Sequence, residues 1–407
     1  MAVTILQEPQ QYTPVYNDLN FLVSSTNTGQ PNFNYIFDVK INGSTVSRHR
    51  IPKNVSNNYG LFNVKRIAEN YVTQVFAYNF LAVTPWSSGI LSLQVELREE
   101  YGSTPTIGSL AATSSLVYCW IASLDAPEWV DYDVTQYRIL STDSAVSQLL
   151  STKQTQNIKL TEKAWVYGLA GDNDAISSFR VQAFNSAGTQ IQNTYILNPN
   201  ATITAVAHRM VSCPAGAQNL NSILNAQLSL TTQNQGNIIP STTAYYLIST
   251  RGAAGTSKVM QFNVVDPCTK YESIRIHFLN KLGGFDSFTF DLLSRENNAI
   301  ERKKYRRNVG AYSGATYIYN DLQRSNIIYD TQVSETMILN SNWINDAEAV
   351  WLEELLTSPI TYMETANGIE VVNVTDSAYE TKKTVNDKLF NLQISIEKTY
   401  LKTRQRG

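Results

Sequence analysis

YESIRIHFLNKLGGFDSFTFDLL, residues 271–293, admits two readings. Its double glycine, histidine and aspartates suit a glycine-rich ligand loop. Its alternation suits two strands with a bend between them. Ile274, Ile276 and Phe278 share one parity, with Arg275 and His277 on the other. After the glycines, Phe288, Phe290 and Leu292 alternate with Ser287, Thr289 and Asp291. A period of two marks a strand with unlike faces. Gly283 and Gly284 then supply the positive φ of a tight connection. No helical pattern follows them, so no helix N-terminus is at hand to bind an anion. The hairpin reading prevails. It makes Gly283 and Gly284 structural turn residues and puts His277 on the polar face of a strand.

The same alternation recurs along the chain. Tyr35, Phe37, Val39 and Ile41 share a face and run into Asn42-Gly43, which predicts a type I′ hairpin turn. Leu91, Leu93, Val95 and Leu97 form a second face, and Phe179, Val181 and Ala183 a third, ending at Asn185–Gly188. Met260, Phe262 and Val264 form a fourth, and Phe390, Leu392, Ile394 and Ile396 a fifth. The composition agrees: 23 Tyr and 14 Phe with only 16% charged residues fit pleated sheets better than amphipathic helices. The fold class is therefore mainly β, as several β-sandwich-like modules with a few short helices. One helix is expected from Val64 to Tyr71, capped by Asn63, with Val64, Ile67, Ala68 and Tyr71 inward. A second starts at the Asn345/Glu348 capping box, turns Ala347, Val350, Trp351 and Leu355 inward, and stops before Pro359. A helical turn is expected around Asn219–Leu224. Composition shifts divide the chain into modules at 1–125, 126–265 and 266–407, the last opening at Asp266-Pro267-Cys268 and carrying the hairpin, a helix and a final long strand.

The chemistry-bearing residues are sparse. The net charge of −2 offers no global field for nucleic acid or an anionic membrane. Cys119, Cys213 and Cys268 are widely spaced and odd in number, so they read as small buried apolar side chains in a reducing cytosol. The start, MAVTILQEPQQYTPVYNDL, lacks the basic and apolar regions of a signal peptide, and no run is long enough to span a bilayer. His49, His208 and His277 stand alone, without the paired spacing of a zinc site. No G-x-S-x-G elbow and no phosphate-loop motif occurs. Asp172-Asn173-Asp174 and Asp131-Tyr132-Asp133 read as polar turns, and Glu353-Glu354 as a solvated helix face. No catalytic residue, cofactor or metal is expected. The basic cluster Arg302, Lys303, Lys304, Arg306 and Arg307, set around Tyr305, could follow a nucleic-acid backbone. A strand edge or subunit contact accounts for it better, because edge cations also block wrong sheet pairing. Trp86, Trp129 and Trp165 would stack on glycans if they were exposed.

Three segments carry a family resemblance: CTKYESIRIHFLNKLGGFDSFTFDLLSRE, WINDAEAVWLEELLTSPITYM and VNVTDSAYETKKTVNDKLFNLQISIE. Together with QEPQQYTPVYNDLNFLVSSTN and NFNYIFDVKINGS near the start, they resemble virion proteins of tailed phages of Bacteroidetes, including crAss-like phages. The resemblance covers both ends of the chain better than its middle. It implies a non-enzymatic structural subunit of the particle, made in the bacterial host cytoplasm. The implied place is a tail or neck ring or hub, and the implied partners are copies of itself and other virion proteins. Abundant Tyr, Asn, Gln and Thr with few charges suits large polar interfaces. The terminal KTYLKTRQRG could reach a neighbouring subunit. A receptor- or glycan-binding fibre, a capsid accessory protein and a glycan hydrolase are the competing readings.

Overall fold

The computed structural model describes residues 3–403 except 74–75, 77, 140–145, 172–175, 201, 225–227, 231–236, 253–255, 267–269, 320–321, 367 and 377–388. Cys268 and Asp172-Asn173-Asp174 thus lie outside the described residues. The protein is mostly β, with several sheets and few short helices. Its chain forms two compact units: Met1–Pro267 with Leu279–Asp286, and Cys268–Phe278 with Ser287–Gly407.

The first unit holds two layered pairs of sheets. Strands Val3–Gln7, Asn20–Ser25 and Gly60–Asn63 form one small sheet. It lies against a larger one ordered Tyr12–Pro14, Val117–Trp120, Ile90–Tyr101, Asn34–Ile41, Ser44–Pro52. The Phe37 and Phe62 rings meet between these layers, 5.3 Å apart. Asn42 and Gly43 both take positive φ, 49° and 82°, as a type I′ turn requires. In the second pair, Trp165–Ala170 and Met210–Pro214 face Ile176–Phe184, Tyr245–Gly252 and Met260–Val264. Val166, Val211 and Cys213 share one core with Phe179, Val181, Ile248 and Phe262. The alternating faces at 91–97 and 179–183 point inward as expected. The predicted boundary near residue 125 falls inside this unit. There Thr84–Pro85 pairs with Met210–Pro214, tying residues on either side of 125 into one sheet.

In the second unit the strands are β1 (Ile274–Leu279), β2 (Phe285–Phe290), β3 (Arg295–Arg306), β4 (Ala311–Ser313), β5 (Thr316–Ile318), β6 (Asn326–Asn345), β7 (Thr361–Thr365), β8 (Gly368–Val374), β9 (Leu389–Lys398) and β10 (Lys402–Thr403). The sheet runs β2-β1-β7-β8-β9-β6-β3, with β10 also on β6. Its two end strands, β2 and β3, are joined by residues 291–294 alone, so the sheet curls upon itself. Ile276, Phe290, Leu339, Met363, Val372 and Ile394 meet in its core. Helix α1 (Asp346–Thr357) adds Trp351, Leu352 and Leu355. Lys402 and Thr403 pair back onto Val333 and Gln332. The Lys402 ammonium, hydrogen-bonded to Glu335, holds that carboxyl below its ordinary range.

Several expectations need correction. The Val64–Tyr71 helix is one α-turn, Lys65–Ala68, followed by a 3-10 turn, and Tyr71 is 48% exposed. Asn63 stands one residue too early to be the N-cap, although its side chain still accepts from the Lys65 N–H at 3.0 Å. In α1 the capping box forms as expected, but the inward face is Ala349, Trp351, Leu352 and Leu355. Ala347 and Val350 are exposed. The turn expected at Asn219–Leu224 is helical over Ala217–Leu220. The hairpin of residues 274–290 is real, but its expected polar face is also covered: Arg275 and His277 are buried. Each has a partner in the sheet: Arg275 Nη1 donates to Thr289 Oγ1 at 2.7 Å, and His277 Nδ1 lies 2.7 Å from Ser287 Oγ.

Candidate functional site

The turn glycines have more to do than turn. Gly283 takes φ +89° and donates its N–H to the Asn280 carbonyl at 3.0 Å. The Asn280 side-chain oxygen accepts from both Leu282 and Gly284 N–H, each at 3.0 Å. A Cβ on Gly283 would stand 2.0 Å from the Ile121 carbonyl oxygen, and one on Gly284 2.4 Å from that of Leu150. Backbone presses on backbone at both positions, which only glycine permits. Nearby, Asp286 accepts from Ser151 Oγ at 2.9 Å. The residues that suggested a ligand loop are engaged in packing the turn.

The other candidates disperse. His49 bonds Ser47, His208 sits beside Thr202 and Thr204, and His277 lies 3.5 Å from Glu364. Among the described residues no group of three or more His, Cys, Asp or Glu is placed to hold a metal ion. Burial raises the thiol pKa values of Cys119 and Cys213, so neither is poised as a nucleophile. Asp133 caps a 3-10 turn by accepting from Thr135 N–H. Trp86 and Trp165 are 6% and 3% exposed, which removes them as glycan platforms; Trp129 is half-buried and stacked on Tyr132.

The basic cluster does lie at a sheet edge. Arg302, Lys303, Lys304 and Arg306 belong to β3, the last strand of the sheet, and Arg307 follows it. All 12 residues of β3 are exposed. It pairs with β6 from Arg295↔Ile338 to Arg306↔Asn326, with a bulge at Lys303/Lys304. β9 reaches β6 only from Thr336 onward, and β10 only at Gln332 and Val333. Among the described residues the pair beyond Gln332 is therefore a two-stranded ribbon. It carries the small β4–β5 hairpin, Tyr312 at 84% and Tyr319 at 72% exposure, and Tyr305 packed beside Tyr329. Of the ribbon's cations, Lys303 has Asp330 at 3.5 Å.

A second feature was not legible in the sequence. At the root of the ribbon a groove of about 460 Å³ is lined by Glu272, Glu296 and Glu364 over an apolar floor of Ile274, Met337 and Met363. Lys398 also lines it, and is held by Glu335 at 3.5 Å and Glu370 at 3.7 Å. Tyr271 and Leu293 separate it from a neighbouring groove of about 450 Å³ that includes Arg295. The three carboxylates come from distant sequence positions, so no local pattern announces them.

No helix among the described residues is long and apolar enough to cross a membrane. The chain matches no family model and no curated protein. Among solved structures it is similar, at 10% identity and a TM-score of 0.16 over 99% of this chain and 80% of the other, to a protein thought to be membrane-anchored from Corynebacterium diphtheriae.

Proposed function

We propose that this chain is a non-enzymatic structural subunit of a tailed-phage particle, a tail or neck component that assembles with copies of itself. The ribbon carries the reading. Isolated two-stranded ribbons are marginally stable in water. This one nevertheless extends past its sheet with tyrosines, isoleucines and cations on its surface. Tyrosine and arginine are the residues enriched where proteins meet. A surface of this composition on a folded sheet suits a subunit contact. The resemblance of the hairpin, helix and final-strand segments to virion proteins of tailed phages gives that contact its setting. Burial of Trp86 and Trp165 weighs against the glycan-binding fibre.

The test is proteomic and structural. Mass spectrometry of purified particles should detect the protein at a stoichiometry of many copies, and a particle reconstruction should place it in the tail or neck. Absence from purified particles would sink the reading. Density confined to the capsid surface would replace it with the accessory role.

A further inference from the structure

We infer that the basic ribbon of one copy docks in the acidic groove at the ribbon root of the next, joining subunits head to tail. This rests on the reading of the chain as a self-assembling subunit and adds the surfaces and their polarity. The argument is one of charge and reach. Arg302, Lys304 and Arg306 alternate along β3 and so share one face of the ribbon. Lys303, Tyr305 and Arg307 interleave with them. Among the described residues Glu301 and Asp330 lie alongside, and Asp330 is paired to Lys303 at 3.5 Å. Like charges this dense on a thin ribbon repel one another, and an anionic partner relieves that repulsion. The groove offers Glu272, Glu296 and Glu364 above a floor of Ile274, Met337 and Met363. It has acid for the cations and apolar surface for the tyrosines and the aliphatic stems of lysine and arginine.

A copy cannot satisfy its own ribbon. Glu296 lies on the same strand as the cations. At roughly 3.4 Å per residue, Arg302 is about 20 Å and Arg306 about 34 Å from it along a paired strand. The ribbon points away from its own groove, so the matching groove belongs to another molecule. A contact between two different patches is heterologous, and repeats into a ring if the rotation closes or a filament if it does not.

The test uses the full chain and analytical ultracentrifugation at low and high salt. Wild-type protein should self-associate at low salt and dissociate as salt screens the contact. Arg302→Glu with Arg306→Glu should weaken self-association about tenfold or more, and so should Glu272→Lys with Glu296→Lys. Circular dichroism should show both variants folded, because all four positions are exposed. Mixing the two variants should restore assembly with the two kinds of copy alternating, since the ribbon of each then matches the groove of the other. Combining all four reversals in one chain should restore assembly. Wild-type oligomers that persist unchanged in every variant would overturn the docking while leaving the self-assembling subunit intact. A wild-type chain that stays monomeric would overturn the docking, and its absence from particles would overturn the subunit reading. Binding of a duplex DNA probe that is lost in the ribbon variant and unchanged in the groove variant, without self-association, would assign the ribbon to nucleic acid instead.

Discussion

Gly283 and Gly284 show what one residue type conceals in a sequence. The double glycine predicts a bend, and the bend is there. The closer constraint comes from Ile121 and Leu150, whose carbonyls lie against the glycine Cα atoms from far away in the chain. That constraint has no local signature. It is testable because Gly188 offers a control: it also has positive φ, +75°, but open space where a Cβ would go. Gly188→Ala should cost about 1 kcal/mol, the left-handed penalty alone. Gly283→Ala should cost about 3 kcal/mol or more, because a backbone carbonyl must move as well. Urea unfolding of the two variants measures the difference, and equal costs would remove the close-approach argument. Asp38 makes a second residue-scale case. It is buried, and accepts from Arg48 Nε at 2.5 Å and from Arg98 Nε at 3.0 Å. The hydrogen bond from Arg48 holds its carboxyl below the ordinary 3.8. A carboxyl depressed in the folded state stabilises above its unfolded pKa, and that contribution fades as pH falls through the folded value. Arg48 is half exposed, so the contribution is screened. Asp38→Asn should therefore lower stability at pH 7 by about 1–2 kcal/mol. The gap from wild type should narrow below pH 4 in unfolding curves recorded against pH. A gap that is independent of pH would assign the loss to packing.

At the scale of elements, alternation was a reliable guide wherever one face is buried and the other wet. Leu91–Leu97, Phe179–Ala183 and Leu392–Ile396 are such strands. It failed in two opposite settings. Arg275 and His277 look like a wet face, yet they are buried with hydrogen-bond partners of their own. β3 reads as RENNAIERKKYR and lacks alternation because both of its faces are exposed. The helix α1 was misphased for a related reason. Trp351 and Leu355 belong equally to a stripe with Ala347 and Val350 and to one with Ala349 and Leu352. Only the core of the sheet selects between these stripes, and it takes the second. The helix start was legible because capping is local chemistry. The Asn345 side chain accepts from Glu348 N–H at 2.9 Å, and Glu348 accepts from Asn345 N–H at 3.1 Å. Asn345→Ala should cost about 1 kcal/mol, and Asn345→Asp should retain most of that stability. Thermal unfolding of the two variants checks the order; an aspartate variant no better than alanine would mean that the cap contributes little here.

For the whole molecule, composition and alternation together were enough for the fold class, because both report sheets directly. The division of the chain was harder to read. Residues 279–286 belong with the first unit although they interrupt the second, and a linear scan for boundaries has no means of showing an excursion. The acidic groove was hidden for the same reason, its carboxylates being brought together by curling of the sheet. The basic cluster was visible because it is contiguous. The role in assembly that we propose for it can be separated from any role in folding by removing the ribbon. Glu301 and Gln332 are directly paired on β3 and β6. Replacing residues 302–331 with Asn-Gly would close a two-residue hairpin between them with the twist that antiparallel strands require. The deletion leaves Met337, Leu339 and every other core residue of the unit in place, and keeps the Gln332 and Val333 pairing with β10. The shortened chain should fold with a melting temperature within about 5 °C of wild type, while self-association at low salt is lost. A melting temperature that collapses would make the ribbon part of the folding core. Retained self-association would place the subunit contact on another surface. Loss of assembly with unchanged melting is the result that a projecting docking element requires, because exposed residues contribute to contacts between molecules without supporting the fold beneath them.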